Sequence, residues 1–139
     1  MHFCCVRKTQ IKVRGYHCDA YGHVNNARYL EFLEEGRWDF LQPAIDEHFF
    51  DHLNLLFVVV NININYRKPL VPNILVEISV NSIEYFNSKI VFKQEVVDAA
   101  TGVLCNTADV TFVLLDKESG KPTAISKEIK RKFDELQSE

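Results

Sequence analysis

The chain has 139 residues, 47% of them hydrophobic and 25% charged, with a net charge of −3. That length suits one domain able to bury its own core without disulfide or metal staples. Nucleic acid is a poor partner for a chain with no basic block, and no apolar run approaches the ~20 residues of a membrane span. The start, MHFCCVRKTQ, has no continuous apolar stretch of the secretory type, so a cytoplasmic location is expected. The cysteines, Cys4, Cys5, Cys18 and Cys105, form no CxxC pair and read as free thiols.

In chain order, Thr9–Tyr16 alternates, with Ile11 and Val13 against Lys12 and Arg14, which predicts a half-buried strand. A loop follows, and then a helix for which Asn25 or Asn26 serves as N-cap, because a short side-chain oxygen satisfies first-turn N–H groups. Leu30, Leu33, Arg37, Phe40 and Leu41 recur at helical spacing, Tyr29, Phe32 and Gly36 widen the apolar face, and Pro43 should stop the helix at about Gln42. Gly36 is a poor helix former, costing ~1 kcal/mol against Ala, and its use is close approach to a neighbouring strand. Residues 46–54 read as a short helix or an irregular link. In LFVVVNININYRKPL, Ile62, Ile64 and Tyr66 face one way and Asn61, Asn63, Asn65 and Arg67 the other, a strand pattern. ILVEISVNSIEYF, KIVFKQEVVDA and VLCNTADVTFVLL are three more strands, and Ser126 caps a terminal helix with an Ile125, Ile129, Phe133, Leu136 stripe. One apolar helix on an antiparallel sheet is an α+β architecture, with sheet edges for which pairing between copies is a natural cover.

The chemistry gathers in YHCDAYGHVNNARYL. Asp19 is the acid nearest the helix start, where unpaired N–H groups and the helix dipole favour a developing negative charge. A carboxylate opposite such donors can attack a carbonyl or activate water, so the stretch holds both parts that acyl transfer needs. Gly22 lets the chain turn closely between them, and Asn25 and Asn26 supply amide contacts as well as the cap. By residue type alone a loop acid is more often solvated and inert. His23 competes as a base or serves as a loop-fixing residue. A Cys18–His–Asp triad is set aside, since sequence neighbours rarely orient as nucleophile and base. His48 and His52 stand four apart but lack the Glu of the zincin pattern, so a metal site is not expected. Arg67 and Lys68, ending a strand before Pro69, suit either phosphate binding or plain solubility. Glu34, Glu35 and Arg37 read as surface or interface ion pairs.

RGYHCDAYGHVNNARYLEFLEEGRWDFL, followed by FVVVNININYRKPL, resembles the hotdog-fold acyl-CoA thioesterases of the 4-hydroxybenzoyl-CoA thioesterase type, and within them the long-chain acyl-CoA branch. The likeness covers about Ile11–Leu115. It implies a hotdog fold, a five-stranded antiparallel sheet wrapped round the long helix, in a homodimer or homotetramer with active sites at subunit interfaces. It implies hydrolysis of medium- to long-chain acyl-CoA to fatty acid and coenzyme A, with no metal or organic cofactor. Asp19 falls on the catalytic carboxylate, Asn26 on the position whose backbone N–H polarises the thioester carbonyl, and His23 on a supporting slot. Tyr29 would face the acyl pocket, and Arg67 and Lys68 fall near coenzyme A phosphates. The benzoyl-CoA branch carries an acid where His17 stands and lacks His23, so benzoyl substrates are not expected. Residues 1–8 have no counterpart and are expected to be disordered. The depth of the acyl pocket depends on how Phe32, Trp38, Phe57 and Tyr85 pack. Two rival readings are an acyl-thioester hydratase or dehydratase, and an acyl-CoA or acyl-carrier-protein binding module without turnover.

Overall fold

A computed structural model describes residues 7–138. It contains β1 (Lys8–Lys12), a short 3-10 turn (Gly15–His17), α1 (Asn26–Asp46), β2 (Leu55–Tyr66), β3 (Leu75–Tyr85), β4 (Lys89–Asp98), β5 (Leu104–Asp116) and α2 (Lys127–Gln137). The strands form one antiparallel sheet in the order β1-β3-β4-β5-β2. α1 rests chiefly on β1, β3 and β4, and α2 packs beside it over β3.

The alternation in the strands places the core, with three shifts of register, one of them between β4 and β5, where the pairing slips between Val96 and Val97 and leaves Cys105 as the extra residue. In β2 the pairing with β5 slips between Val59 and Asn61, and in β3 the pairing with β4 slips between Val80 and Ser82. Such a bulge adds one unpaired residue and returns the next set of side chains to the same face. Leu55 and Phe57 therefore share a side with Ile62 and Ile64, although their numbers are of opposite parity, and all four are half-buried.

α1 meets the sheet at close range. A Cβ on Gly36 would lie 2.5 Å from Ile78 Cγ2, so the close approach expected of this glycine is present and no larger side chain fits without movement. Gln94, fully buried on β4, donates to Leu33 O at 3.0 Å and accepts from Arg37 Nη1 at 3.1 Å. Arg37 is thus not part of a surface ion pair as its neighbours suggested. It is buried, its guanidinium lies over the Phe112 ring at 5.9 Å, and desolvation lowers its pKa.

Other boundaries also differ from the sequence reading. α1 runs through Pro43 to Asp46. A helical proline leaves the carbonyl four residues earlier without its N–H partner, and here Arg7 Nη1 donates to that carbonyl, Asp39 O, at 3.1 Å. Thr9 Oγ1 adds a bond to the Asp39 carboxylate at 2.7 Å. The first strand ends at Lys12 instead of running to Tyr16, because the chain turns through Gly15–His17. Residues 47–53 are a series of turns, with His48 at φ +58°. Of the N-terminal segment expected to be disordered, residues 1–6, with Cys4 and Cys5, lie outside the described residues, whereas Lys8 already pairs with Ser79. Ser126 caps α2 as expected, accepting from Ile129 N at 3.2 Å, and Ile129, Phe133 and Leu136 are buried. No helix among the described residues is long and apolar enough to cross a membrane.

Candidate active site

The loop before α1 is a miniature hairpin. Cys18 and Val24 pair as an isolated antiparallel bridge, Asp19 N donates to His23 O at 2.8 Å, and Gly22 N donates to Asp19 O at 3.0 Å. Gly22 closes this turn at φ +76°, in the left-handed region that glycine enters without strain. The hairpin is pinned on both flanks, by Val24 N to Leu70 O at 2.9 Å and Asn25 N to His17 O at 2.8 Å.

Within it the Asp19 carboxylate is exposed to solvent but not free to swing. Its Oδ1 accepts from Tyr21 N at 2.9 Å and His23 N at 3.3 Å. One carboxylate oxygen is thereby held by the loop, and no bond among the described residues uses the other. His23 joins this arrangement through its backbone, its N–H donating to Asp19 Oδ1 and its carbonyl accepting from Asp19 N, while the residue as a whole is exposed.

Asn25 settles the choice of N-cap. Its Oδ1 accepts from Ala27 N at 3.0 Å, and its carbonyl accepts from Arg28 N at 2.8 Å. Asn26 is the first residue of α1, so its N–H has no partner within the helix. No hydrogen bond among the described residues uses it. Tyr66, at the end of β2, donates its hydroxyl to Asn26 O at 3.1 Å and fixes the first turn from outside. Tyr29 is buried below, its ring against Tyr66 at 5.1 Å, and burial pushes its phenol up to about 12, so it stays protonated near neutrality.

His17 was legible only as a departure from a family pattern, yet it organises the loop. Its Nδ1 accepts from Arg14 N at 2.9 Å, its carbonyl takes Asn25 N, and its ring stands perpendicular to Phe32 at 5.0 Å. Burial, followed by the nearby Arg28 charge, lowers its pKa from 6.5 and keeps it neutral at pH 7. Cys18 Sγ donates to Arg14 O at 3.6 Å rather than facing a histidine.

Asp19, Gly22, His23, Asn25 and Asn26 therefore share one hairpin and helix start, with Tyr29 inside the first turn. Arg67 and Lys68 directly follow Tyr66. Both are exposed, both donate their N–H to Cys105 O at 2.9 and 3.1 Å, and Arg67 Nε reaches Thr107 Oγ1 at 3.4 Å. His48 and His52 are not brought together. His48 meets Asp51 at 3.0 Å and His52 meets Glu128 at 2.9 Å, each on the surface. Among the described residues no group of three or more His, Cys, Asp or Glu is placed to hold a metal ion.

This arrangement pairs a fixed carboxylate with an unspent backbone donor at a helix start. Comparison with known proteins gives it a family. The chain is 44% identical over 130 residues to the long-chain acyl-CoA thioesterase FadM of Escherichia coli (strain K12), covering 93% of this chain and 98% of that one. It is 31% identical over 120 residues to the acyl-CoA thioester hydrolase YbgC of Escherichia coli O6:H1, covering 83% and 86%. The crystal structure of the probable thioesterase YbaW from Escherichia coli superimposes with a TM-score of 0.84 at 42% identity, covering 95% of this chain and 98% of that one. Residues 13–133 match the family model of the thioesterase-like superfamily, and the chain belongs to that superfamily.

Proposed function

We propose that this chain hydrolyses acyl-CoA thioesters with medium to long acyl chains, giving fatty acid and coenzyme A, at the hairpin and helix start built around Asp19. The observation that carries the reading is the division of labour at the start of α1. The Asn25 cap consumes Ala27 and Arg28 N–H and leaves Asn26 N–H open, and the hairpin that leads into this helix start holds the Asp19 carboxylate by one oxygen. The activities named for the FadM and YbgC relatives support the same chemistry.

In this mechanism the thioester carbonyl oxygen accepts from Asn26 N–H, and the positive end of α1 stabilises the charge that grows there. Asp19 acts in one of two ways. Its carboxylate attacks the carbonyl carbon, the C–S bond breaks, coenzyme A leaves as thiolate and takes a proton, and water hydrolyses the mixed anhydride. Alternatively it removes a proton from water as the water attacks. Single turnover in heavy-oxygen water marks the nucleophilic route when label is recovered in the Asp19 carboxylate. His23 orders the loop, Tyr29 lines the start of the acyl path, and Arg67 and Lys68 offer cations to the coenzyme A phosphates. The chain's own groups and water suffice for these steps.

The working unit in this reading is a homodimer that pairs along β2, with the site at the subunit boundary. β2 is an edge strand of 12 residues with no charged side chain, and Leu56, Val58, Val59 and Val60 on it are exposed. Edge strands that stay solitary are normally short or guarded by charge.

The test is thiol release from a panel running from acetyl- to palmitoyl-CoA with benzoyl-CoA included. Turnover of the longer alkyl chains, with benzoyl-CoA poor, is the expected result. No thiol from any substrate overturns the reading.

A further inference from the structure

The two peptide groups that meet at Asn26 carry four polar atoms, and three of them are engaged. Asn25 O accepts from Arg28 N at 2.8 Å, Ala27 N donates to Asn25 Oδ1 at 3.0 Å, and Asn26 O accepts from the Tyr66 hydroxyl at 3.1 Å. Asn26 N–H is the fourth, and no hydrogen bond among the described residues uses it. The first two bonds are made inside the helix start itself. The third comes from the last residue of β2, 40 positions further along the chain, and ties these peptide groups to the sheet. We propose that Tyr66 is a positioning residue for the hydrolysis, its hydroxyl holding Asn26 so that the N–H meets the thioester oxygen, an assignment that rests on the proposed thioester hydrolysis.

The placement of Tyr66 suits this task better than it suits packing. Ile62, Ile64 and Tyr66 alternate along one side of β2, and the two isoleucines are half-buried while Tyr66 is 45% exposed. Its ring stands edge-on to the buried Tyr29 at 5.1 Å, which fixes the direction in which the hydroxyl leaves the sheet. A tyrosine is rigid, apolar along its body and polar at its tip, so a ring held in this way delivers a donor to a defined point. The bond lies in an exposed position. Water can replace the hydroxyl on Asn26 O at little cost in stability, but a mobile water does not fix the direction of the helix start.

Direction decides the worth of an oxyanion donor. Deleting one outright costs about a hundred- to a thousandfold in kcat, because the donor must be in place before the charge develops. Misplacing a group by ~1 Å costs up to about a hundredfold. Removing one of three holds should fall below full deletion, at about ten- to fiftyfold. The loss should appear in kcat and spare KM, since a bond that strengthens in the transition state contributes little to ground-state binding.

The test compares Tyr66→Phe and Tyr66→Leu with the wild type, by thiol release from each acyl-CoA that the wild type turns over and by melting temperature. Tyr66→Phe keeps the ring against Tyr29 and removes the hydroxyl alone. Its kcat should fall about ten- to fiftyfold, by the same factor at every chain length, with KM within about threefold and the melting temperature within about 2 °C. Tyr66→Leu also loses the ring, so it should show the same loss of kcat together with a clear fall in melting temperature. A Tyr66→Phe kcat within about twofold of wild type overturns the assignment and leaves the hydrolysis reading in place. A rise in KM at unchanged kcat overturns it too, because Tyr66 is then a substrate contact. Hydrogen exchange gives a readout without turnover. In Tyr66→Phe the Ala27 and Arg28 amides should exchange at least about fivefold faster, while the amides of residues 36–40 keep their rates. Faster exchange in a protein that releases no thiol overturns the hydrolysis reading and upholds the hold of Tyr66 on the helix start. Unchanged exchange overturns that hold.

Discussion

The two halves of α1 are held in opposite ways. From Leu33 onward the helix is clamped: the Gln94 bonds to Leu33 O and Arg37, a glycine at position 36 against Ile78, and the Phe40 ring on Phe92 at 5.5 Å. The first turn is defined by hydrogen bonds from the loop and from Tyr66, with the Tyr29 ring buried against Tyr66 beneath it. In the proposed mechanism the clamped half supplies stability and the first turn supplies direction, leaving the Asn26 N–H without a partner among the described residues. Damage to the two halves should therefore read out differently, stability in one case and turnover in the other.

The largest stability effect is expected in the clamped half. Gly36→Val pushes three carbons into space already filled by Ile78, and overpacking of this kind costs about 3 kcal/mol. A fall of about 10 °C in melting temperature checks it. A smaller effect is expected at the helix start. Asn25→Ala removes the cap on Ala27 N–H and costs about 1 kcal/mol, or roughly 4 °C. If the first turn sets direction, its loss of kcat should exceed that of any Gly36 variant compared at a temperature where both are folded.

The smallest is a change of pH slope. His17 is neutral in the folded loop, with its pKa lowered from 6.5 by burial. The unfolded chain takes up that proton as pH falls through about 6.5 and the folded chain does not, so this contribution is complete above that pH and is lost as pH falls through the folded value. The melting temperature of the wild type should drop between pH 7 and 5. In His17→Phe, which keeps a ring beside Phe32 but loses the acceptor for Arg14 N, it should start lower and fall less over that interval.

What could be read from the sequence follows the same division. The alternation from Asn61 to Tyr66 in β2, a cap at Asn25 or Asn26, the Ser126 cap and the close approach at Gly36 are local signals, each decided within a few residues, and the structure has each of them, with Asn25 as the cap. The differences come from partners far along the chain. Pro43 does not stop α1, because Arg7 satisfies the carbonyl it strands. Arg37 is buried, because Gln94, 57 residues away, meets it there. His17 could be noticed as an unusual residue two before Asp19, but its grip on Arg14 depends on a turn that alternation reads as strand. At the candidate site, spacing made the grouping of Asp19, Gly22, His23, Asn25 and Asn26 at one loop and helix start legible, while the roles proposed for them came from the resemblance. The open Asn26 N–H was not legible, since it depends on which of two adjacent asparagines takes the cap.

The most direct measurement of the central claim is the rate of thiol release from palmitoyl-CoA by wild type and Asp19→Asn, with melting temperatures recorded for both. The substitution keeps the shape of the loop and the acceptor for Tyr21 and His23 N–H, but removes the nucleophile or base. Turnover should fall by about three powers of ten or more, a barrier increase of at least ~4 kcal/mol, with melting temperatures within about 3 °C. An Asp19→Asn protein that releases thiol at close to the wild-type rate would contradict the account and return Asp19 to the role of a loop acid.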